Sequence, residues 1–291
     1  MFRKKIVTHD GPFHADEVFG VAILKLLYPD SEVLRSRKQE DVDKADFRVD
    51  VGQKYKPEEN FYDHHQVVFD EKRSNGIYYA SSGLVWKHFG RDLANSKRAF
   101  EIVDEKLLQI IDARDSGMDV FDSKINLFLV DDVVKLYRPT WKEKNPDFDK
   151  GFKKALNFAK DILVGEIERA NLHKEAEDLV SKAVKDKNQK YIVLDQKAPW
   201  KEIIVNNHLN VKFCIHPGPY DNWICNAAPV SMDSFEKRAY FPKEWRGLER
   251  EELQEASEVD DAGFCHRAGF IAAADSRKGA IKLVEKALEN D

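Results

Sequence analysis

The first 120 residues alternate short apolar runs with polar turns, and this alternation constrains the fold more than any other feature of the sequence. Lys5-Ile6-Val7-Thr8 predicts a strand, His9 to Phe13 predicts a turn, and Ala15 to Leu27 carries apolar residues at helical intervals. Further strands are predicted at Glu32 to Arg35 and at Phe47 to Val51. Repeated strand, loop and helix units favour an α/β fold, with a mostly parallel sheet and helices on both faces.

More elements of the same kind follow in this half of the chain. Phe61-Tyr62 predicts a short strand. A helix is predicted from Ser81 to Phe89, with a serine as its N-cap and Gly90 as its stop. Another helix is predicted from about Ser96 to Asp112. These elements complete the set expected for the parallel sheet and its helices.

The pattern changes in the second half of the chain. From about Phe148 to Lys187 the sequence predicts a long charged helix or helical pair, which we interpret as a connector. The short β-like runs that follow are Tyr191 to Leu194, Val211 to Ile215, Trp223 to Ala227 and Phe270 to Ala272. Two domains are therefore predicted. Residues 1–188 form a catalytic domain that includes the connector from about 148, and residues 189–291 form a smaller α+β domain.

Composition limits the classes of protein to which the chain can belong. Hydrophobic residues make up 42% of the 291 residues and charged residues 34%, as in a globular protein. No stretch approaches the roughly 20 apolar residues needed to cross a bilayer, and residues 1–5 do not resemble a signal peptide. We therefore expect a cytoplasmic protein with no membrane attachment. The net charge of −5 argues against charge-driven coating of nucleic acid, but metal ions could supply positive charge to a phosphate substrate.

Isolated carboxylates and imidazoles follow the predicted strands and helices, and they indicate a metal centre. The segment from His9 to Asp16 holds two histidines and two aspartates, a crowding that is favoured when a cation sits among them. The alternative is that Asp10 or Asp16 merely caps the next helix, which leaves both histidines without a role. Asp50 lies near the end of a predicted strand, although alone it is typical of a turn. Imidazole nitrogen and carboxylate oxygen together suit a cation such as Mn²⁺.

The Asp63-His64-His65 triplet is a more specific signal. Adjacent side chains on an extended segment point in opposite directions, so we expect one histidine to bind metal and the next to face substrate. The alternative is a polar loop with two exposed imidazoles. Asp112 and Asp115 lie three residues apart near a helix end, so both could face the same way. The sequence leaves open which of these two acids binds metal directly.

Short sequence motifs along the whole chain resemble those of a known family. They are Thr8 to Glu17, Asp50-Val51-Gly52, Asp63 to Gln66, Ser81 to Val85, Lys87 to Gly90, Gly263 to His266, and Gly269-Phe270. Together they resemble the melanocyte-proliferating-gene family of metal-dependent hydrolases and RNA exonucleases, within the DHH phosphoesterase superfamily. The first superfamily motif has His and then Asp-x-Asp. Here His14 replaces the first of those acids, which leaves the metal preference open.

The resemblance implies a role for each of these residues. Two divalent ions are expected, Mn²⁺ or alternatively Mg²⁺. The expected ligands are His9 and His14 on one ion, Asp16, His64 and Asp115 on the other, and Asp50 between them. The acids expected to support these ligands are Asp10, Asp63 and Asp112. His65 is expected to contact the scissile phosphate and to act in catalysis with Asp50.

Substrate-binding residues are expected in both domains. Gly263 to Arg267 resembles the glycine-rich substrate loop of the superfamily's second domain, where backbone N–H groups could approach phosphate and His266 and Arg267 could add charge. The alternative is an ordinary glycine turn before a strand. Arg37 follows a strand at the metal edge. It is expected to meet a base or phosphate of the substrate, or else to lie in a solvated loop.

The predicted function is metal-dependent hydrolysis of phosphodiester bonds by an exonuclease that acts on RNA or short oligonucleotides, with its site in a cleft between the domains. Two alternatives stay open. One is a phosphatase for nucleotides or pyrophosphate-like small molecules, because the same metal residues would serve it. The other is a metal-binding regulatory protein without turnover, and the substrate-facing His65 argues against that alternative. We also consider a homodimer.

Overall fold

The computed structural model describes residues 3–186 and 188–289. The chain divides into two compact units, Met1–Leu172 and His173–Asp291. This division falls between the two helices of the segment that the sequence assigned to the connector. Among the described residues, no helix has both the length and the apolar character needed to span a bilayer.

The first unit contains a mostly parallel sheet, which confirms the predicted fold class. Its strands are β1 (Lys5–Thr8), β2 (Glu32–Arg35), β3 (Phe47–Val49), β4 (Tyr55–Lys56) and β5 (Phe61–Tyr62). They lie in the order β2-β1-β3-β5-β4. β1 pairs in parallel with β2 and β3, β3 pairs in parallel with β5, and β4 runs antiparallel to β5. The C-terminal ends of β1, β3 and β5 therefore meet at one edge.

Helices cover both faces of this sheet. They are α1 (Ala15–Leu27), α2 (Gln39–Asp43), α3 (Ser81–Leu93), α4 (Lys97–Val103), α5 (Gln109–Asp115), α6 (Val130–Leu136) and α7 (Phe148–Asn171). Successive residues of a strand face opposite sides, and β1 shows this directly. Ile6 joins the large core that includes α1, α3 and α7, whereas Val7 joins a smaller cluster with Val42 and Phe61. Burial of such side chains contributes about 1.5–3 kcal/mol each.

The helix that follows the triplet begins at Ser81 as predicted, but its N-cap and its end differ from the prediction. α3 begins at Ser81, with Ala80 as its N-cap, and it continues through Gly90 to Leu93. Ser81 does not cap the helix, because its hydroxyl group binds an acid at the site described below. Gly90 lies against the ring of Trp86, where a Cβ atom would come within 2.4 Å of ring carbon atoms. This glycine therefore allows close packing and does not stop the helix.

The helix predicted from Ser96 to Asp112 is interrupted. Ser96 caps α4 as expected, because its side chain accepts from the backbone N–H of Ala99. A π-helical turn, Asp104–Leu108, then separates α4 from α5, which ends at Asp115. Such turns are rare and are often found near functional sites. The turn begins at Asp104, whose carboxylate binds a buried arginine.

The second unit has the predicted α+β character. Its sheet contains β6 (Tyr191–Val193), β7 (Phe213–Pro217), β8 (Trp223–Ala227), β9 (Ala262–Cys265) and β10 (Ile271–Ala274) in the order β6-β7-β8-β10-β9. β6 is parallel to β7, and the other neighbours are antiparallel. The helices are α8 (His173–Ala183), α9 (Trp200–Asn206), α10 (Arg250–Ser257) and α11 (Arg277–Glu289). α11 packs on one face, whereas α8 and α9 pack on the other.

Candidate metal centre

Each of the strands β1, β3 and β5 is followed directly by a potential metal ligand or by an acid that hydrogen-bonds to a neighbouring histidine. His9 follows β1, Asp50 follows β3, and the triplet Asp63-His64-His65 follows β5. Because these strands are parallel neighbours, their C-terminal ends bring the side chains to one edge of the sheet. The first turn of α1 adds Asp16 and the last residue of α5 adds Asp115, both within reach of His64. The fold therefore gathers side chains from five separate elements.

The first group of potential ligands surrounds His9. Its Nε2 atom lies 2.9 Å from Oε1 of Glu17 and 3.3 Å from Oδ2 of Asp50. With His14, these residues offer four ligand atoms that all lie within 4.8 Å of one another. Glu17 was not among the predicted ligands. Its carboxylate also accepts from the backbone N–H of His14 at 2.8 and 2.7 Å, so the capping-box spacing was the available sequence signal.

The second group surrounds His64. Its Nε2 atom lies 3.1 Å from Oδ2 of Asp115, 3.5 Å from Oδ1 of Asp50 and 3.6 Å from Oδ2 of Asp16. Asp50 therefore contacts both groups, with Oδ2 toward His9 and Oδ1 toward His64. All six residues predicted as ligands lie in these two groups. A carboxylate between two sets of donors has the position needed to share two cations.

Asp16 shows most directly that the centre suits a cation. Its side chain is fully buried, and neither carboxylate oxygen has a hydrogen-bond partner among the described residues. Burial and the nearby charges of Asp50 and Asp115 raise the pKa of Asp16 well above its usual value. Ionisation of a buried carboxyl group that accepts no hydrogen bond is costly, and a divalent cation would offset that cost. The mixed imidazole and carboxylate donors fit a divalent metal ion.

Hydrogen bonds to carboxylates perturb the pKa values of the histidines. Burial lowers the pKa of His9 and of His64, but hydrogen bonds to neighbouring acids outweigh burial and raise these pKa values to about 10 and about 9. Burial raises the pKa of Asp50, yet hydrogen bonds from His64, His65 and His9 hold it well below its usual range. Metal ligation requires neutral imidazole. A cation that binds here must therefore displace protons from His9 and His64.

His65 does not point away from His64, so this part of the sequence prediction is wrong. The two ring centroids are 4.4 Å apart, and Nδ1 of His65 lies 3.2 Å from Oδ1 of Asp50. Strand alternation does not apply, because β5 ends at Tyr62. Asp63 accepts from both the backbone N–H and Nδ1 of His65, at 3.0 and 2.9 Å, and fixes the ring. The side chain of His65 is still 56% exposed, so a substrate can reach it.

The loop after β3 is held in a backbone conformation that few residues adopt. Asp50 has a φ of +55° and Gln53 a φ of +51°, both in the left-handed region. Ser81 donates to Oδ1 of Asp50 at 3.0 Å, and the backbone N–H of Gln53 donates to Oδ2 of Asp63 at 2.7 Å. Non-glycine residues held in this region cluster at functional sites. Ser81 was predicted as a possible cap, so its contact with Asp50 is a finding of the structure.

Asp112 lies in a different cluster from Asp115. Its Oδ1 accepts from the hydroxyl of Ser82 at 2.6 Å, and its Oδ2 lies 2.8 Å from Nη2 of Arg73. Arg73 also donates to both carboxylate oxygens of Asp104 at 2.6 and 2.8 Å. Burial raises the pKa of Asp112 to about 6 despite these donors. The sequence left open which of the two acids lies at the candidate metal centre. In the structure, Asp115 contacts His64, whereas Asp112 contacts Arg73.

Arg37 and Asp10 lie at the rim of the first group. Nη1 of Arg37 lies 2.6 Å from Oδ1 of Asp10, and both side chains are more than half exposed. Arg37 lines a cavity of about 460 Å³ together with His9, His14, Asp50, Asp63 and His65. A phosphate or base that enters this cavity would meet the guanidinium group.

The predicted substrate loop of the second unit begins within a strand and not in a loop. Gly263 lies within β9, where a Cβ atom would come within 3.3 Å of the carbonyl oxygen of Ala273 in β10. The glycine therefore serves close strand pairing. His266 and Arg267 lie in the turn between β9 and β10, and Nδ1 of His266 accepts from the backbone N–H of Ala268 at 3.1 Å.

Fold and site together define an α/β protein with a histidine and carboxylate centre suited to divalent cations. A sequence profile described as uncharacterised protein family UPF0160, the MYG1 family, matches residues 5–288. The chain belongs to this family, as its short sequence motifs predicted.

Relatives of the chain match it along nearly its whole length. It is 31% identical to the MYG1 protein of Saccharomyces cerevisiae, over 98% of this chain and 96% of that protein. It is 29% identical to a Mus musculus protein named MYG1 exonuclease, over 98% and 84% of the two chains. It is 30% identical to the MYG1 protein of Chlamydia trachomatis, over 97% of both chains.

Proposed function

We propose that this protein is a metal-dependent phosphodiesterase of the DHH superfamily that acts as an exonuclease on RNA or short oligonucleotides. The observation that carries the proposal is the convergence of two histidine and carboxylate groups on Asp50, beside the buried and unpartnered carboxylate of Asp16. The mammalian relatives named exonucleases support hydrolysis of nucleic acid.

The proposed centre holds two divalent ions, with Mn²⁺ preferred to Mg²⁺. When bound, such ions supply hydroxide near neutral pH and offset the negative charge that develops on the phosphate. Imidazole ligands favour Mn²⁺, because Mg²⁺ is bound mainly through oxygen. The residues proposed to hold the ions are His9, His14, Glu17 and Asp50 in one group, and His64, Asp16, Asp115 and Asp50 in the other.

His65 and Arg37 are proposed to contact the substrate. In the metal-free protein, hydrogen bonds to Asp50 and Asp63 raise the pKa of His65 to about 10, which favours a protonated ring. Asp63 occupies Nδ1, which leaves Nε2 to donate to a phosphoryl oxygen or to the leaving group. Arg37 at the cavity rim would bind a second phosphate or a base.

The second unit is proposed to bind the rest of the substrate. The turn between β9 and β10 presents the exposed side chain of Arg267 next to His266. A cationic side chain in a turn can bind a backbone phosphate of an oligonucleotide. Under this proposal the chemistry belongs to the first unit, whereas the second unit contributes to affinity.

The test is an assay of RNA, DNA, dinucleotides and small phosphates, with Mn²⁺, Mg²⁺ or a chelator, in which the products are resolved. We expect Mn²⁺-dependent release of mononucleotides from RNA, abolished in Asp50→Ala and retained in Asp92→Ala, which removes an exposed acid of α3. Turnover confined to small phosphates would support the phosphatase alternative. Metal binding without turnover of any substrate would support the regulatory alternative.

A further inference from the structure

The turn that carries His9 and His14 is contacted by three arginines, and each of them donates to a different backbone carbonyl group. We call Arg35, Arg37 and Arg138 the arginine clamp. Their contacts are Arg37 with the carbonyl oxygen of Asp10, Arg35 with that of Gly11 at 2.5 Å, and Arg138 with that of Phe13 at 2.5 Å.

The turn needs such donors because it lies outside any helix or strand. Gly11 has a φ of +78°, a left-handed conformation that turns the chain sharply between the two histidines. Backbone carbonyl groups in a turn of this kind lack the partners that a helix or sheet would provide. A guanidinium group supplies a charged donor to each carbonyl oxygen, which is stronger than a neutral hydrogen bond.

The clamp also fixes the turn through the side chain of Phe13. The ring is completely buried, with the guanidinium carbon of Arg35 5.5 Å and that of Arg138 5.8 Å from its centroid. Phe152 of α7 packs edge-on against the same ring at 5.6 Å. Backbone and side chain of the turn are thus held by the same two arginines.

One clamp residue binds α7, and another directly follows a residue that packs on α7. The side chain of Arg35 is 4% exposed and binds Asp149 at 2.8 Å. The segment that ends at Arg138 lies so close to α7 that a Cβ atom on Gly151 would come within 2.3 Å of the carbonyl oxygen of Tyr137. Arg37, in contrast, is 58% exposed and is open to a substrate.

We propose that Arg35 and Arg138 are positioning residues for the ion held by His9 and His14. They act through the turn, because its conformation sets the direction of both imidazoles. It also places the backbone N–H of His14, which donates to the carboxylate of Glu17. The inference rests on the proposed metal centre. Replacement of a residue that orients a metal ligand typically lowers the metal affinity by roughly ten- to a hundredfold.

The test is a calorimetric titration of the full chain with Mn²⁺. In Arg138→Met and Arg35→Met the donors are lost and the aliphatic volume is kept. We expect one of the two binding steps to weaken about tenfold in each variant. The matched control is Arg91→Met, which removes an exposed arginine that stacks on Phe100 at 4.9 Å. The control should bind Mn²⁺ like the wild type.

An unchanged Mn²⁺ affinity in Arg138→Met, even with a lower melting temperature of the metal-free protein, would overturn the inference. If Arg138→Met does not fold, Arg138→Lys decides, since lysine can restore one donor but not the fork of the guanidinium group. We expect intermediate affinity for this variant, and wild-type affinity would overturn the inference. A wild-type protein that binds no Mn²⁺ would overturn the metal centre itself, so the two failures can be distinguished.

Discussion

At the scale of single residues, His65 is proposed to act in catalysis and not as a metal ligand. Its Nδ1 atom is engaged by Asp63, and more than half of the side chain faces solvent. A hydrogen bond from a charged donor contributes roughly 1.5–3 kcal/mol, which corresponds to about ten- to a hundredfold in rate. His65→Ala should therefore lower kcat by about that factor with both ions retained, measured as metal content beside steady-state kinetics. His88→Ala, which replaces a histidine bonded to Tyr55, is the control. Loss of an ion in His65→Ala would make His65 a ligand.

The raised pKa of Asp112 should make the folded protein less stable as the pH rises. Its pKa is raised from 3.8 to about 6 in the folded protein, so the folded state holds the proton more tightly than the unfolded chain. The stabilisation by protonation is complete well below pH 3.8 and is lost as the pH rises through about 6. About two pKa units correspond to about 3 kcal/mol in total, and part of this is already lost at pH 4, where the unfolded carboxyl is about half ionised. Wild type should therefore lose about 2 kcal/mol relative to Asp112→Asn between pH 4 and pH 7. Urea unfolding of metal-free protein measures this difference, and parallel pH profiles would contradict it.

Many residues of the candidate site could be predicted from sequence because their types are distinctive. A triplet with two histidines, and histidines spaced around Gly11, stand out from surface charge. Glu17 and Ser81 could not be identified in the same way, because a glutamate at a helix start and a serine before an apolar run usually act as caps. In the structure, Glu17 contacts His9 and Ser81 contacts Asp50, both in the candidate metal centre.

At the scale of elements, the start of α3 and the middle of α7 respond in opposite ways to an added methyl group. A Cβ atom on Gly83 would lie 1.8 Å from Oδ2 of Asp112 and 2.6 Å from Nη2 of Arg73, whereas nothing lies within 4 Å of one on Gly165. Gly83→Ala should destabilise the protein by about 1–3 kcal/mol. Gly165→Ala should stabilise it by up to about 1 kcal/mol, because alanine favours the helix. Chemical unfolding measures both, and a change of the same sign in both would refute the packing account.

The elements that were predicted well are those that local pattern determines. β1 and α1 match their predicted bounds, because each is a largely apolar run and a turn with glycine and proline lies between them. The end of α3 and the π-helical turn were missed because they depend on side chains that meet only in the folded chain, as Gly90 meets Trp86. The short helix α6 gave little periodic signal over its 7 residues.

At the scale of the whole molecule, the proposed division of labour predicts different kinetic effects in the two units. The proposed metal ligands all lie in the first unit, whereas His266 and Arg267 lie in the second. His266→Ala and Arg267→Ala should raise KM more than they lower kcat, because a phosphate contact is made in both the ground state and the transition state. Metal content should not change. Arg250→Ala, which removes an exposed arginine paired with Asp275, is the control in the same unit. A loss of kcat at constant KM would contradict this division.

We propose that the edge of the first sheet holds two divalent ions around Asp50. Anomalous diffraction at the manganese absorption edge, from crystals grown with Mn²⁺, would locate these ions. We expect two peaks, one among His9, His14 and Glu17 and one among His64, Asp16 and Asp115, with Asp50 in contact with both. Crystals of Asp50→Ala should lose at least one peak. A wild-type map with no peak beside Asp50 would show that the proposed two-ion centre is wrong.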